Sequence, residues 1–448
     1  MRLPKFPIVA ATLLVVASAP GCGPRATRDT GAAKAAHGRG AGTTVGATEG
    51  KREPRSDGAT GTRAPEPVAW SEGTQAVADG AGRFAIAHYL RLADGADDLV
   101  FSPFSIHAAL SMTACGARGA TLEQLRSALH LPEADRLGDV GDLARFYASG
   151  DRPYELAVAS ALWGQSGLAW QPDFLALMAE RFAAGFQEAG FAADPDGARQ
   201  RVNAWVADRT RSRIPALLAP GSILPTTRIV LANAVFFKGR WAEQFDPART
   251  TTEPFHRADG TSVTVPLMRR KGRERHLAGD GFQLLLLPYR GRDLEMVVLL
   301  PAAPDGLPAL EKRLSPEALA EWTGRAEPVE VEVFLPRFRI ERKAGTVLNA
   351  SLEALGIRDL FDLDACDLSG MTEEKLVVSA VVHQAFVEVN EEGTEAAAAT
   401  AVIGNAPSPP PPKPVEFRAD RPFLFLVRDA AHGTILFMGR LATGGTAP

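Results

Sequence analysis

The stretch Ile229-Val230-Leu231-Ala232-Asn233-Ala234-Val235-Phe236-Phe237 is apolar at every position but Asn233. A run of this kind is consistent with a central strand covered on both faces, since a strand with a solvent side would alternate. That requirement places layers of structure on either side of it and asks for a large core. The chain has the means. Its 448 residues, 46% hydrophobic and 23% charged, are in ordinary globular proportion and suffice for one large core or two smaller ones.

Around that strand the sequence carries both helical and extended patterns. Residues 81–92 (AGRFAIAHYLRL) and 106–117 have apolar side chains at helical spacing, the second after Ser102-Pro103-Phe104-Ser105, a helix-start signal. Helices are predicted again over 173–186, with Phe174, Leu177, Met178 and Phe182 on one face, and over 197–218. The period then shifts to two. Residues 282–287 and 294–300 flank Pro288-Tyr289-Arg290-Gly291 as a hairpin. Val329, Val331, Val333 and Leu335 alternate with Glu330, Glu332 and Phe334, and Ala385, Val387 and Val389 with Phe386, Glu388 and Asn390. Helices first, strands later and no regular βαβ repeat predict an α+β fold with mainly antiparallel sheets. One large domain over 70–448 is the economical reading, because low complexity returns only at 406–414.

The start of the chain reads as an address. Residues 1–22 (MRLPKFPIVAATLLVVASAPGC) combine Arg2 and Lys5, an apolar run from Ile8 to Ala19, and small residues before Cys22. This is a secretory signal pattern, its apolar part shorter than the roughly 20 residues of a membrane-spanning helix. Gly21-Cys22 after small residues resembles a bacterial lipoprotein box, with Ala19 and Pro20 in place of the usual Leu and Ala or Ser. The resemblance implies lipidation at Cys22 and an exported, membrane-anchored protein facing the periplasm or the cell exterior. Plain cleavage near residues 17–19, giving a secreted protein, is the alternative. Residues 23–69 are Gly, Ala, Thr, Arg and Pro with almost no large apolar side chain, and are predicted to be a disordered tether.

Several classes of function are disfavoured. With 49 Lys and Arg against 53 Asp and Glu, the formal charge of −4 excludes a charge-driven nucleic-acid binder. The cysteines, Cys22, Cys115 and Cys366, form neither a disulfide framework nor a cluster of metal-ligand spacing. There is no G-x-S-x-G elbow, H-E-x-x-H, P-loop, or G-x-G-x-x-G between a strand and a helix, and the eight histidines are scattered. Composition and motifs leave an enzyme open but unsupported, and no metal or cofactor is expected.

Two stretches near the C-terminus carry the argument further. Residues 381–400, VVHQAFVEVNEEGTEAAAAT, resemble the hinge of the serpins, and Phe417-Arg418-Ala419-Asp420-Arg421-Pro422-Phe423-Leu424-Phe425 resembles their C-terminal signature. The likeness extends through residues 100–106 (VFSPFSI), 202–206 (VNAWV), 231–241 (LANAVFFKGRW) and 436–439 (LFMG), so that it covers essentially the whole folded part. It implies the serpin fold, with three mainly antiparallel β-sheets, about nine helices and an exposed reactive-centre loop. It also implies a function: irreversible suicide-substrate inhibition of serine proteases by loop cleavage, acyl-enzyme trapping and loop insertion into the central sheet. A monomer partnered by its target protease and by the membrane through Cys22 is expected.

On composition alone, residues 394–401 would be a helix, alanine being the best helix former and Thr394 a possible cap. The resemblance gives the alanines another purpose. Glu391, Gly393, Thr394, Glu395, Ala396, Ala397, Ala398, Ala399 and Thr400 match the hinge, where small side chains can slide into a sheet and Gly393 allows the turn. Ser102, Ser105, Asn233 and His383 match the shutter, a polar cluster that can exchange hydrogen bonds as strands part. Trp241, Arg337 and Glu391 match the breach where insertion begins, with the last two as an ion pair. The usual spacing from Glu391 sets the scissile bond at Pro407 and Ser408. Proline suits few proteases, so the bait is placed over Val402, Ile403, Gly404, Asn405, Ala406, Pro407 and Ser408, with bonds between Val402 and Ala406 preferred. No Arg or Lys occurs from Thr394 to Ser408, which favours an elastase-like or subtilisin-like target, while Asn405 leaves a cysteine protease open. A non-inhibitory binding or carrier protein of the same fold is the other alternative.

Overall fold

The computed structural model describes residues 70–445 apart from 94, 96, 132–137, 150–151, 183–184, 342–343 and 395–412. The chain enters at Trp70, whose ring stacks on His432 at 3.6 Å, and turns into helix α1 (Glu72–Leu92). Ser71 caps that helix by accepting from the Thr74 amide at 3.0 Å, which is why it starts nine residues before the apolar pattern does. Strand β1 (Leu99–Phe101) leads into α2 (Pro103–Gly116), started by a Ser102 cap and Pro103 in the first turn. Helix α2 is almost wholly buried, its polar side chains Ser105, His107, Ser111 and Thr113 included, as in a helix enclosed by other layers. Helices α3 (Gly119–Leu129) and α4 (Gly138–Ala148), strand β2 (Tyr154–Gln165), α5 (Pro172–Arg181), β3 (Phe186–Ala189) and α6 (Pro195–Arg209) follow.

Two helices are shorter than their apolar periodicity suggests. Helix α5 stops at Arg181, and Phe186 instead opens β3, paired in parallel with Leu162 of β2. Helix α6 stops at Arg209, because Arg211 and Ser212 adopt positive φ values of 50° and 60° that break the helical path. Ile214, Leu217 and Leu218 continue the apolar spacing, yet they pack from a loop into the same cluster as Val202 and Val206.

The remainder is mostly sheet: β4 (Ile229–Arg240), β5 (Thr251–His256), β6 (Ser262–Gly279), β7 (Phe282–Pro288) and β8 (Leu294–Pro301), then helices α7 (Leu307–Glu311) and α8 (Pro316–Arg325). Strands β9 (Glu327–Pro336), β10 (Phe338–Ile340) and β11 (Thr346–Val347) precede α9 (Asn349–Ala354). After it come β12 (Val378–Val389), β13 (Gly393–Thr394), β14 (Val415–Arg418), β15 (Phe423–Asp429) and β16 (Ile435–Leu441). Most pairings are antiparallel; β2 with β3, β4 with β12 and β9 with β14 are parallel.

Among the described residues these strands form two hydrogen-bonded networks. One is nine-stranded, in the order β1-β16-β15-β8-β7-β6-β9-β14 with β5 on β6; the other is seven-stranded, in the order β10-β12-β4-β2-β3 with β11 on β12 and β13 on β4. The resemblance implies three sheets; by hydrogen bonding the described strands form two, because β6 is long enough to join strands that would otherwise stand apart. Its first part pairs with β5, its middle with β9 and its last residues with β7.

Strand β4 has the coverage its composition demands. Leu231, Val235 and Phe237 face the main core, while Val230, Ala232 and Ala234 face the layer that holds α6. Both sides are dry, so a polar side chain on β4 must find its partners inside the protein.

Candidate functional site: the gap between β4 and β12

Strands β4 and β12 pair from Ile229 and Val378 up to Phe236 and Phe386, then separate. Beyond that point the end of β12 pairs with β10, and the chain reverses in a tight hairpin closed by Asn390 and Gly393. Gly393 and Thr394 then return antiparallel to β4, opposite Arg240 and Gly239. The approach is close. A Cβ on Gly393, whose φ is +149°, would lie 2.1 Å from the Gly239 carbonyl oxygen, so glycine is required by both conformation and space.

Trp241 forms the floor of this entrance. It is 3% exposed, stacks on Tyr289 at 4.7 Å, and its indole Nε1 donates to the Asn390 carbonyl at 3.0 Å. Its backbone N–H donates to Glu392 O, and that of Phe245 to Glu391 O, each at 2.8 Å. The Glu391 carboxylate is buried. Its Oε1 accepts from Thr250 Oγ1 at 2.7 Å and lies 3.6 Å from Arg337 Nη1. A buried carboxylate needs such donors to remain charged.

Below the entrance, where β4 and β12 are still paired, lies a buried polar cluster. Asn233 and His383 are directly opposite in register. The Ser102 backbone N–H donates to His383 Nε2 at 3.1 Å, so that nitrogen carries no proton and Nδ1–H donates to Asn233 Oδ1 at 2.6 Å. Asn233 Oδ1 also accepts from Ser105 Oγ at 2.8 Å, while Asn233 Nδ2 donates to Ser105 O and Ser160 Oγ, each at 3.1 Å. Ser102 Oγ closes the network on Leu436 O at 2.6 Å. Burial holds the His383 imidazole down at about 3, with the His88 charge adding a smaller push, and the neutral tautomer is the one this network needs.

The structure thus brings Ser102, Ser105, Asn233 and His383 together, and Trp241, Glu391, Gly393 and Arg337 together, along one seam. Glu395, Ala396, Ala397, Ala398, Ala399 and Thr400, the bait from Val402 to Ser408, and Cys22 lie outside the described residues. The sequence reading missed Ser160, Thr250, Phe245 and Tyr289. Tyr289 had a signal, its place at the apex of the hairpin between β7 and β8; the others are ordinary residues given their role by long-range contacts. Among the described residues no group of His, Cys, Asp and Glu could hold a metal ion, and no helix is long and apolar enough to cross a membrane.

The structure thus shows two adjacent parallel strands that part at one end, with a hairpin turned back beside one of them. Comparison with known proteins gives the family. The model of the serpins (serine protease inhibitors) matches residues 79–443, and the chain belongs to that family. Relatives include the leukocyte elastase inhibitor of Bos taurus, 40% identical over 373 residues (81% of this chain and 97% of the relative). Antithrombin-III of Mus musculus is 36% identical over 374 residues, covering 80% of each chain. Among solved structures, uncleaved ovalbumin superposes with a TM-score of 0.74 at 28% identity, covering 82% of this chain and 99% of that one. The Arabidopsis serpin AtSerpin1 in its native stressed conformation gives 0.72 at 30% identity, covering 84% and 99%.

Proposed function

We propose that this serpin inhibits serine proteases as a suicide substrate and performs no catalysis itself. The observation that carries the reading is the pairing of Gly393 and Thr394 with the end of β4. Were the strand to continue down β4 in that register, Ala396 would come opposite Phe237, Ala398 opposite Val235 and Thr400 opposite Asn233. The small residues would then pass between packed layers, and Thr400 would come level with the polar cluster that could receive its hydroxyl. Insertion requires β4 and β12 to part there, and the Asn233–His383 bond is the contact they would give up.

The reaction is a race. A protease attacks the bait with its serine hydroxyl, the peptide bond breaks, and the new N-terminus leaves while the loop remains as an acyl ester. Hydrolysis of that ester needs an intact triad and oxyanion hole. Insertion of the freed loop would drag the tethered enzyme across the molecule and distort both before water attacks. Elastase-like and subtilisin-like enzymes are the proposed targets, from the small and branched residues between Val402 and Ala406 and from likeness to a protein named for elastase inhibition. Asn405 would instead suit an asparagine-cleaving cysteine protease.

The finer organisation is part of the proposal: residues 1–22 as signal, 23–69 as tether, 70–448 as a monomeric inhibitory domain, and Cys22 as a lipid anchor holding it at the periplasmic or outer face of a membrane. The anchor rests on residues 1–22 alone, and the curated relatives named above are mammalian. Incubation with elastase and subtilisin followed by denaturing electrophoresis tests the inhibitory reading. A covalent complex at the summed mass, and a melting temperature that rises once the loop is cut, are expected. Cleaved inhibitor with fully active protease and no gain in melting temperature would overturn it.

A further inference from the structure

The outer side of the seven-stranded sheet carries a concavity of about 420 Å³ beside the entrance, where β2 and β4 meet the turn between β7 and β8. Its wall is cationic: Arg152, Lys238, Arg240 and Arg290 surround a single carboxylate, Glu155. Its Oε2 lies 2.9 Å from Arg211 Nη1, while its buried Oε1 has no hydrogen-bond partner among the described residues and is an acceptor left for the lysine opposite it. Arg152 is held by Asp293 at 3.3 Å and lies over the Phe146 ring at 3.9 Å. Lys238, Arg240 and Arg290 have no hydrogen-bonding or ionic side-chain partner among the described residues.

The backbone fixes this convergence. Lys238 is opposite Glu155 in the register of β2 and β4, and the Arg290 amide donates to the Arg240 carbonyl at 2.6 Å, locking the turn onto the strand end. Like charges held this close repel until a counter-charge joins them. We propose that the concavity is a binding site for a small multivalent oxyanion, a polyphosphate or its sulfate equivalent. Guanidinium forks suit phosphate and sulfate oxygens, and several cations on one wall suit a ligand of more than one negative charge. The site goes beyond protease inhibition and does not depend on it.

Isothermal titration calorimetry of the full chain with sodium tripolyphosphate at low ionic strength is the test. Saturable one-to-one binding is expected, weakened at least tenfold in Lys238→Ala/Arg290→Ala. The comparison variant Lys271→Ala/Arg273→Ala, which removes two exposed cations from β6, should bind within twofold of the parent. Should Lys238→Ala/Arg290→Ala melt early, Arg290→Glu alone at an exposed position replaces it, with the same tenfold loss expected. Absence of saturable heat, or equal weakening in both double variants, would overturn the proposal.

Discussion

His383 on β12 and Asn233 on β4 are both register partners and side-chain hydrogen-bond partners, with 2.6 Å between Nδ1 and Oδ1. The two strands that would part in the proposed insertion are therefore joined by a polar side-chain bond within an otherwise apolar seam. Asn233→Ala leaves the His383 Nδ1–H without its acceptor and should cost about 1–3 kcal/mol of stability. Urea unfolding of the variant measures this; an unchanged midpoint would mean that the cluster does not hold the strands.

Three buried histidines set an acid limit. Burial holds His88 and His383 down at about 3 and His107 at about 4, against an ordinary value near 6.5. Between those values the unfolded chain binds protons that the folded one refuses. The histidine contribution is therefore constant above pH 6.5 and is lost as the pH drops from there towards 4, with a slope of up to about 1.4 kcal/mol per pH unit for each histidine. Melting temperatures measured across this range should show the decline, and His88→Gln should make it shallower.

Thr394 is the first residue after the required glycine and is paired with Gly239. Thr394→Arg would force a charge without a partner into the inserted sheet, at a cost of several kcal/mol. Insertion then loses to hydrolysis, and mass spectrometry should find cleaved inhibitor beside free, active protease. A full yield of covalent complex from this variant would refute the hinge assignment.

Asn405→Arg should redirect inhibition towards trypsin, because the proposed insertion does not depend on the identity of the bait. Trypsin inhibition kinetics and mapping of the cut site provide the check, and a cut outside Val402 to Ser408 would show that the bait lies elsewhere.

Cys22→Ser should move the protein from the membrane fraction to the soluble one. Unchanged fractionation would remove the anchor and leave the folded domain's reading intact.

The seam was legible in the sequence to different depths. The apolar run of β4 announced a strand covered on both sides, and the single polar residue within it, Asn233, became the centre of the buried cluster. Helix α6 was read too long because Ile214, Leu217 and Leu218 keep an apolar spacing that a packed loop can also satisfy; only the positive φ at Arg211 and Ser212 ends the helix. Ser160 and Thr250 gave no local sign. Their importance comes from Asn233 and Glu391, more than seventy residues away in each case, and pattern within a window is blind to such contacts.

The hairpin that turns Gly393 back onto β4 also fixes an order of events during folding. The Asn390–Gly393 contact joins residues three apart, whereas Asn233 and His383 are 150 apart. Short closures form quickly and long ones slowly, so the reversal after β12 becomes available before β4 and β12 have found each other. The two strands therefore come together with the reversal already beside their parting ends.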